Sequence, residues 1–230
     1  MSRSNVKTSQ VILSDPKPKN IKGANFDGKL PGVTAVILAG GKASRMGGIN
    51  KALLKIKGKT IIEREIAILD SLFPEIIIIT NSPEDYKFLG KPTFRDIIPG
   101  KGSLGGLYTG LMSAKNPYSF FVACDMPFLN SDIIKVLVEN IKRHDIVIPK
   151  INGHFEPIHA IYSKRCLPFI KKLVLSDSLK ILSVLDQVDV LEIPVNEIIQ
   201  MDPDLDFIMN VNTPEDLKKA TAKTVSDEMK

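Results

Sequence analysis

The chain predicts an α/β fold: a three-layer α/β/α arrangement on a mainly parallel, doubly wound (Rossmann-like) sheet, with a small mixed β section in the C-terminal third. Three observations predict it. Predominantly apolar runs occur at VTAVILA (33–39), EIIIIT (75–80) and SFFVA (119–123), and strands buried on both faces are the mark of a parallel sheet. Amphipathic stretches alternate with those runs through the first two thirds of the chain, as crossover connections require. Each run also ends abruptly in a polar segment, and in a parallel sheet the carboxyl ends of the strands share one edge.

The elements follow in order. The first strand is 33–39, and a loop with Gly40, Gly41, Lys42, Arg45, Gly47, Gly48 and Lys51 comes after it. Ala52 to Ile56 is a short apolar piece. Thr60 with Glu63 three residues on reads as a capping box, and Ile61, Ile62, Arg64, Glu65, Ile66, Leu69 and Leu72 give a helical stripe over 61–73. The second strand is 75–80. Asn81-Ser82-Pro83 opens a short helix to Leu89, and Thr93 to Ile98 reads as an edge strand. A second glycine-rich loop, 99–110, runs into a helix over 104–114. Ser119 to Ala123 is a strand, and Ser131 caps a helix through Arg143. Asp145 to Pro149 is a strand. Asn152-Gly153 is a turn, and His154 to Tyr162 pairs back as a hairpin. Helical segments at 164–174 and 179–185, strands at 188–195 and 207–210, and a helix from Thr213-Pro214 to about Ala222 complete the chain.

Length fits one α/β domain with an extension: a flexible basic segment, 1–32, and a single α/β domain, 33–225. The formal net charge is +5. Six basic residues in 1–32 stand against Asp15 and Asp27, which places +4 of that charge in the extension and leaves +1 for the rest. A body this close to neutral excludes a broad polyanion surface, so no nucleic acid is expected. The aliphatic runs are too short to cross a bilayer. Cys124 and Cys166 have no paired spacing, and with no signal peptide they point to a reducing cytoplasm.

Three polar features converge on the shared sheet edge: the Gly40–Lys51 loop, Asn81 and Asp125. Glycine lets backbone N–H groups approach an anion, and Arg45 and Lys51 supply countercharge. Such a loop holds a nucleotide phosphate or is simply a tight turn with a solvated basic face. Asp125, at a strand end, is placed to hold one Mg²⁺, which takes one or two carboxylates plus substrate phosphates; the other reading is a helix cap. Asp96 is a weaker second candidate, or a turn residue. The glycines of 100–106 either lie against a base or ribose, or form a hinge. His144 reads as the end of a helix. His154 and His159, at an odd offset on a strand, face opposite ways and make no zinc pair. Cys124 lacks a His or Cys partner for nucleophilic work and reads as a small core residue.

At these residues the chain resembles a known family. Leu38-Ala39-Gly40-Gly41, Arg45-Met46-Gly47-Gly48 and Lys51 are similar to the LAGG-x-S-x-R-M-G-x-x-K signature of nucleotidyltransferases with the sugar-nucleotide transferase fold. The GxLGG motif at 102–106, CDMPFL at 124–129, EPIHAIY at 156–162 and NVNTPEDL at 210–217 make it resemble most the molybdenum cofactor guanylyltransferases, the MobA-like proteins, over about 33–222.

The resemblance implies transfer of GMP from GTP to molybdopterin, with Mg²⁺ as cofactor and pyrophosphate as co-product. It implies GTP contacts from Leu38, Ala39, Gly40, Gly41, Arg45, Gly47, Gly48 and Lys51, and base and ribose contacts from Asn81, Asp96, Gly102, Leu104, Gly105 and Gly106. It implies Mg²⁺ on Asp125, and Glu156, Asn210 and Asn212 on the molybdopterin side. Arg45, Lys51 and Asp125 would carry catalysis. Transient contact with molybdenum cofactor insertion proteins or molybdoenzymes is implied as well. Two departures stand out. Asn50 replaces the family's Asp, removing a negative charge near the phosphates, and Ser103 replaces its Pro, loosening the loop that reads the base. Two rivals stay open: a related enzyme using CTP or another phosphorylated acceptor, and a non-catalytic chaperone that binds nucleotide and cofactor.

Overall fold

The computed structural model describes residues 29–40 and 50–228, the side chains of 226–228 excepted. Gly41, Lys42, Arg45, Gly47 and Gly48, with most of the N-terminal segment, lie outside the described residues.

The central sheet is built as its apolar runs predict. Strand β1 (Val33–Leu38) pairs in parallel with β4 (Ile76–Ile79) on one side and β6 (Tyr118–Ala123) on the other. Strand β5 (Thr93–Phe94) adds in parallel beyond β4. On the other flank β9 (His159–Ser163) runs antiparallel to β6. It also pairs antiparallel with β7 (Ile146–Ile151), which pairs in parallel with β10 (Val190–Pro194). The order is β10-β7-β9-β6-β1-β4-β5, and β8 (His154–Phe155) extends β7 as a short hairpin. The sheet is therefore parallel around β1 and mixed in its C-terminal part.

Side-chain alternation along the strands makes two cores. Val33, Ala35 and Ile37 of β1 face a layer containing α1 (Ile61–Leu72) and α3 (Ser131–Glu139), while Val36 faces α2 (Gly102–Ser113) and α4 (Leu167–Leu175). A helix layer on each face completes the three-layer arrangement. Helix α2 is pressed against the sheet because it lacks side chains there. A Cβ on Gly110 would meet Phe121 at 2.6 Å and Val36 at 2.8 Å, closer than any packed Cβ sits. Thr60 and Glu63 form the expected capping box, with the Thr60 amide donating to Glu63 at 2.7 Å.

Several expectations are corrected. The edge strand predicted over 93–98 stops at Phe94 because the following amides go to side chains: Asp96 N–H donates to Asn81 Oδ1 at 3.2 Å and Ile97 N–H to Thr109 Oγ1 at 3.0 Å. The glycine loop before Leu104 is already helical from Gly102. Asn130, not Ser131, caps α3, accepting from Asp132 and Ile133. That helix ends at Glu139, so His144 lies in a later turn, 3.1 Å from Asp189. The predicted strand at 207–210 is a 3-10 turn, Asp206–Ile208. Phe207 N–H is already taken by Asp202 Oδ2 at 2.8 Å, which leaves it unavailable to a strand ladder. A short helix, α5 (Val195–Ile198), follows β10, and the final helix, α6 (Pro214–Glu228), is longer than predicted. The hairpin of β2 (Lys55–Ile56) and β3 (Lys59–Thr60) was not predicted, and it turns through Lys57 and Gly58 at positive φ. Leu30, assigned to the extension, donates to Leu72 O at 2.6 Å and packs on the core.

Candidate active site

The register of β1 fixes where the chemistry gathers. Leu38 pairs with Ile79 of β4 and with Ala123 of β6, so Gly40, Thr80 and Asp125 leave the sheet at one edge. There they surround a cavity of about 400 Å³, a size typical of small-molecule sites. Leu38, Ala39 and Gly40 form its floor with Cys124 and Asp125. Asn50, Lys51, Asp85 and Tyr86 wall one side, and Asp96 with Gly102, Ser103 and Gly106 of α2 wall another.

Lys51 and Asp125 come together from opposite ends of the motif set. Lys51 Nζ is 3.5 Å from Asp125 Oδ2 and donates to Asn212 Oδ1 at 2.5 Å. Both charged side chains are largely shielded. Burial raises the Asp125 pKa, and Lys51 opposes that rise. The backbone around Asp125 is fixed by Val211 N–H, which donates to its carbonyl at 2.9 Å. Asn212 is in turn set by the start of α6: Asp216 accepts from the amides of Asn212 and Thr213, and Asp216 N–H donates to Thr213 Oγ1.

The opposite wall holds a further carboxylate, Asp96. Asn81 Nδ2 donates to Asp96 Oδ2 at 2.8 Å and Asn81 Oδ1 accepts from the Asp96 amide, so the two ends of one side-chain amide hold Asp96 in place. Asn81 is exposed and stands behind Asp96, which faces the cavity. Of the glycines, Gly102 and Gly106 line the cavity. Leu104 and Gly105 are buried: Leu104 points into the core, and a Cβ on Gly105 would meet Lys101 Cβ at 2.8 Å. Glu156 is half-buried with its pKa raised by burial, and Asn210 is exposed; neither lines this cavity.

A structural-type metal site, closed by protein ligands, does not fit. Among the described residues no three His, Cys, Asp or Glu side chains gather to hold an ion. A single half-buried carboxylate, Asp125, opening on the cavity does fit Mg²⁺, which completes its shell with waters and substrate phosphates.

Sequence reasoning missed Glu65 and Tyr86. Glu65 is fully buried under the cavity floor; its Oε1 accepts from Met126 N–H at 3.1 Å, and its Oε2 has no hydrogen-bond partner. Burial, and then the nearby Asp125, hold its pKa well above the ordinary carboxylate range. A signal was available: Glu65 lies one helical turn from Ile61, Ile62 and Leu69, on the apolar face of α1. Cys124 is no nucleophile here, because burial and the neighbouring Glu65 and Asp125 hold its thiol protonated.

The shared strand edge, the glycine-faced cavity and the shielded Lys51–Asp125 pair define a nucleotidyltransferase of the doubly wound α/β class. The chain belongs to the family described as the MobA-like NTP transferase domain, which matches residues 35–190. It is 42% identical over 194 residues to a probable molybdenum cofactor guanylyltransferase of Natranaerobius thermophilus, covering 82% of this chain and 94% of the relative. It is 38% identical to the molybdenum cofactor guanylyltransferase of Desulfosudis oleivorans, covering 83% and 95%. The crystal structure of molybdopterin-guanine dinucleotide biosynthesis protein A from Archaeoglobus fulgidus superposes with a TM-score of 0.73 at 25% identity, covering 84% of this chain and 99% of that one.

Proposed function

We propose that the chain transfers GMP from GTP to the phosphate of molybdopterin, with or without bound molybdenum, and releases pyrophosphate. A phosphate oxygen of molybdopterin attacks the α-phosphorus, a new P–O bond forms, and the bond from the α-phosphorus to the bridging oxygen of the β-phosphate breaks. The electron pair leaves with pyrophosphate. The nucleophile is already an anion, so no general base is required.

The observation that carries this reading is the Lys51–Asp125–Asn212 cluster at the cavity floor. Lys51 is a fixed cation in a partly desolvated place, where it stabilises charge gathering on the transferring phosphoryl group. Asp125 would hold Mg²⁺, and that ion, when bound, would neutralise phosphate oxygens. Arg45 would add charge from the loop before Asn50. Asp96 supports guanine: a carboxylate fixed by Asn81 accepts best from an edge with two parallel N–H donors, which guanine has and cytosine lacks. Asn212, with Asn210 and Glu156, would face the molybdopterin side. The names of the relatives support both substrates. Among the described residues no helix is long and apolar enough to cross a membrane, and the reading places the reaction in the cytoplasm, with product handed to an insertion protein or molybdoenzyme.

The test is a screen of GTP, CTP, ATP and UTP with molybdopterin and Mg²⁺, scored by pyrophosphate release. The expected result is release with GTP alone. Preference for CTP would reverse the base assignment. Binding of GTP and molybdopterin without any release would make the protein an escort rather than a transferase.

A further inference from the structure

Asn50 lies immediately before Lys51 and opens the 3-10 turn Lys51–Leu53, so it stands at an N-cap position. Asparagine is favoured there because its side chain normally bonds the first free amides of the turn. Asn50 makes no such bond. Its amide is directed at Tyr86 instead: Nδ2 donates to the Tyr86 hydroxyl at 3.0 Å, and that hydroxyl donates back to Oδ1 at 3.1 Å. The Tyr86 ring is only 2% exposed and belongs to the main core. On its other side Asn50 Nδ2 approaches Asp85 Oδ2 at 3.5 Å, a long contact between a donor and a carboxylate.

We infer that Asn50 is a positioning residue, and that the Asn50–Tyr86 clamp, completed by Asp85, anchors to the core the point from which Lys51 enters the cavity. The inference rests on the transferase reading for its catalytic consequence. Lys51 carries a long side chain with considerable rotamer freedom. Holding its backbone origin lowers the entropy lost when its ammonium sits between Asp125 and Asn212 and, in the complex, against the triphosphate. The clamp also gives a reason for asparagine at 50. A carboxylate there would still accept from the Tyr86 hydroxyl, but it would lose both amide donors and bring a second negative charge against Asp85, while an amide donates to both Tyr86 and Asp85. Asn50 and Asp85 thus form a matched pair, one amide and one carboxylate.

The pairing can be reversed. Asn50→Asp should weaken Mg-GTP binding, read by calorimetry, and lower kcat for transfer, each by about tenfold, the size expected when the amide donors are lost and two carboxylates are set against each other. Asn50→Asp combined with Asp85→Asn restores one amide and one carboxylate in the opposite order, and both quantities should return to within about threefold of the native protein. Tyr86→Phe should show the same loss, and adding Asp85→Asn to it should recover nothing. A general packing defect would lower the melting temperature without this selective recovery. Native-like GTP binding in Asn50→Asp, or failure of Asp85→Asn to restore it, overturns the clamp. If the native protein binds GTP but transfers no GMP, the reaction is lost while the binding series still decides the clamp.

Discussion

Two aspartates reach the same cavity from opposite flanks of β1, and their surroundings differ. Asp125 leaves β6 half-buried against a lysine, so its charge is balanced by a cation and it can share a metal with phosphate. Asp96 follows β5 and is held by the neutral amide of Asn81, so its charge has no cation beside it in that pair and its free lone pairs suit N–H donors. On the proposed reading, one sheet edge would therefore offer a phosphate end and a base end from the same side-chain type. The partner, not the residue, sets the role.

The largest expected effect lies at the phosphate end. Asp125→Ala should lower the rate of pyrophosphate release by at least about a hundredfold, with circular dichroism unchanged. Activity close to native would remove Asp125 from the metal and phosphate machinery. Asp96→Ala should act differently. The preference for GTP over CTP should fall by about tenfold or more, the worth of one good bidentate contact, with a smaller loss of kcat on GTP. If both substitutions lower kcat alike and leave selectivity alone, the division into two ends fails.

A third substitution sharpens the phosphate end from beneath. Glu65 accepts from Met126 N–H and so braces the turn that carries Asp125. Glu65→Gln keeps that acceptor and Glu65→Leu removes it. The leucine variant should therefore lose about tenfold in kcat, clearly more than the glutamine variant. Equal behaviour of the two would leave Glu65 as buried bulk.

The smallest effect concerns stability, away from the cavity. His159 is fully buried, edge-on to Phe120 and Phe207 at 5.1 Å and 4.8 Å between ring centroids, with neither ring nitrogen bonded. Burial pushes its pKa down to about 3 from an ordinary 6.5. The native state thus keeps the ring neutral while the unfolded chain takes up a proton below 6.5, so protons favour unfolding. The stability contributed by the neutral ring is complete above pH 6.5 and should fall by about 1.4 kcal/mol per pH unit below it, toward pH 3. Urea unfolding of the native protein and of His159→Leu between pH 5 and 7 reads the difference. Parallel curves would mean that the buried imidazole does not titrate on unfolding.

The parts legible from sequence were those encoded by neighbours along the chain. Strand β4 is an unbroken apolar run and β1 and β6 are nearly so, and Thr60 with Glu63 states a helix start within four residues. The convergence of Lys51 and Asp125 also followed, because the ends of parallel strands must share an edge. What stayed hidden depends on long-range pairs. Asn50 meets Tyr86 across 36 residues and Glu65 meets Met126 across 61, and no local period carries that. Phe207 misled for a related reason: it is apolar as a strand residue would be, yet it is an isolated anchor whose amide is held by Asp202. The glycines of 102–106 had two uses that spacing could not separate, facing the cavity at Gly102 and Gly106 and allowing close helix packing at Gly105.

Mass analysis of the product formed from GTP, molybdopterin and Mg²⁺ reads the transfer itself. The expected product is a molybdopterin–GMP dinucleotide, equal in amount to the pyrophosphate released and absent with Asp125→Ala. Pyrophosphate released without the dinucleotide, or dinucleotide formed at the native rate by Asp125→Ala, would contradict that expectation.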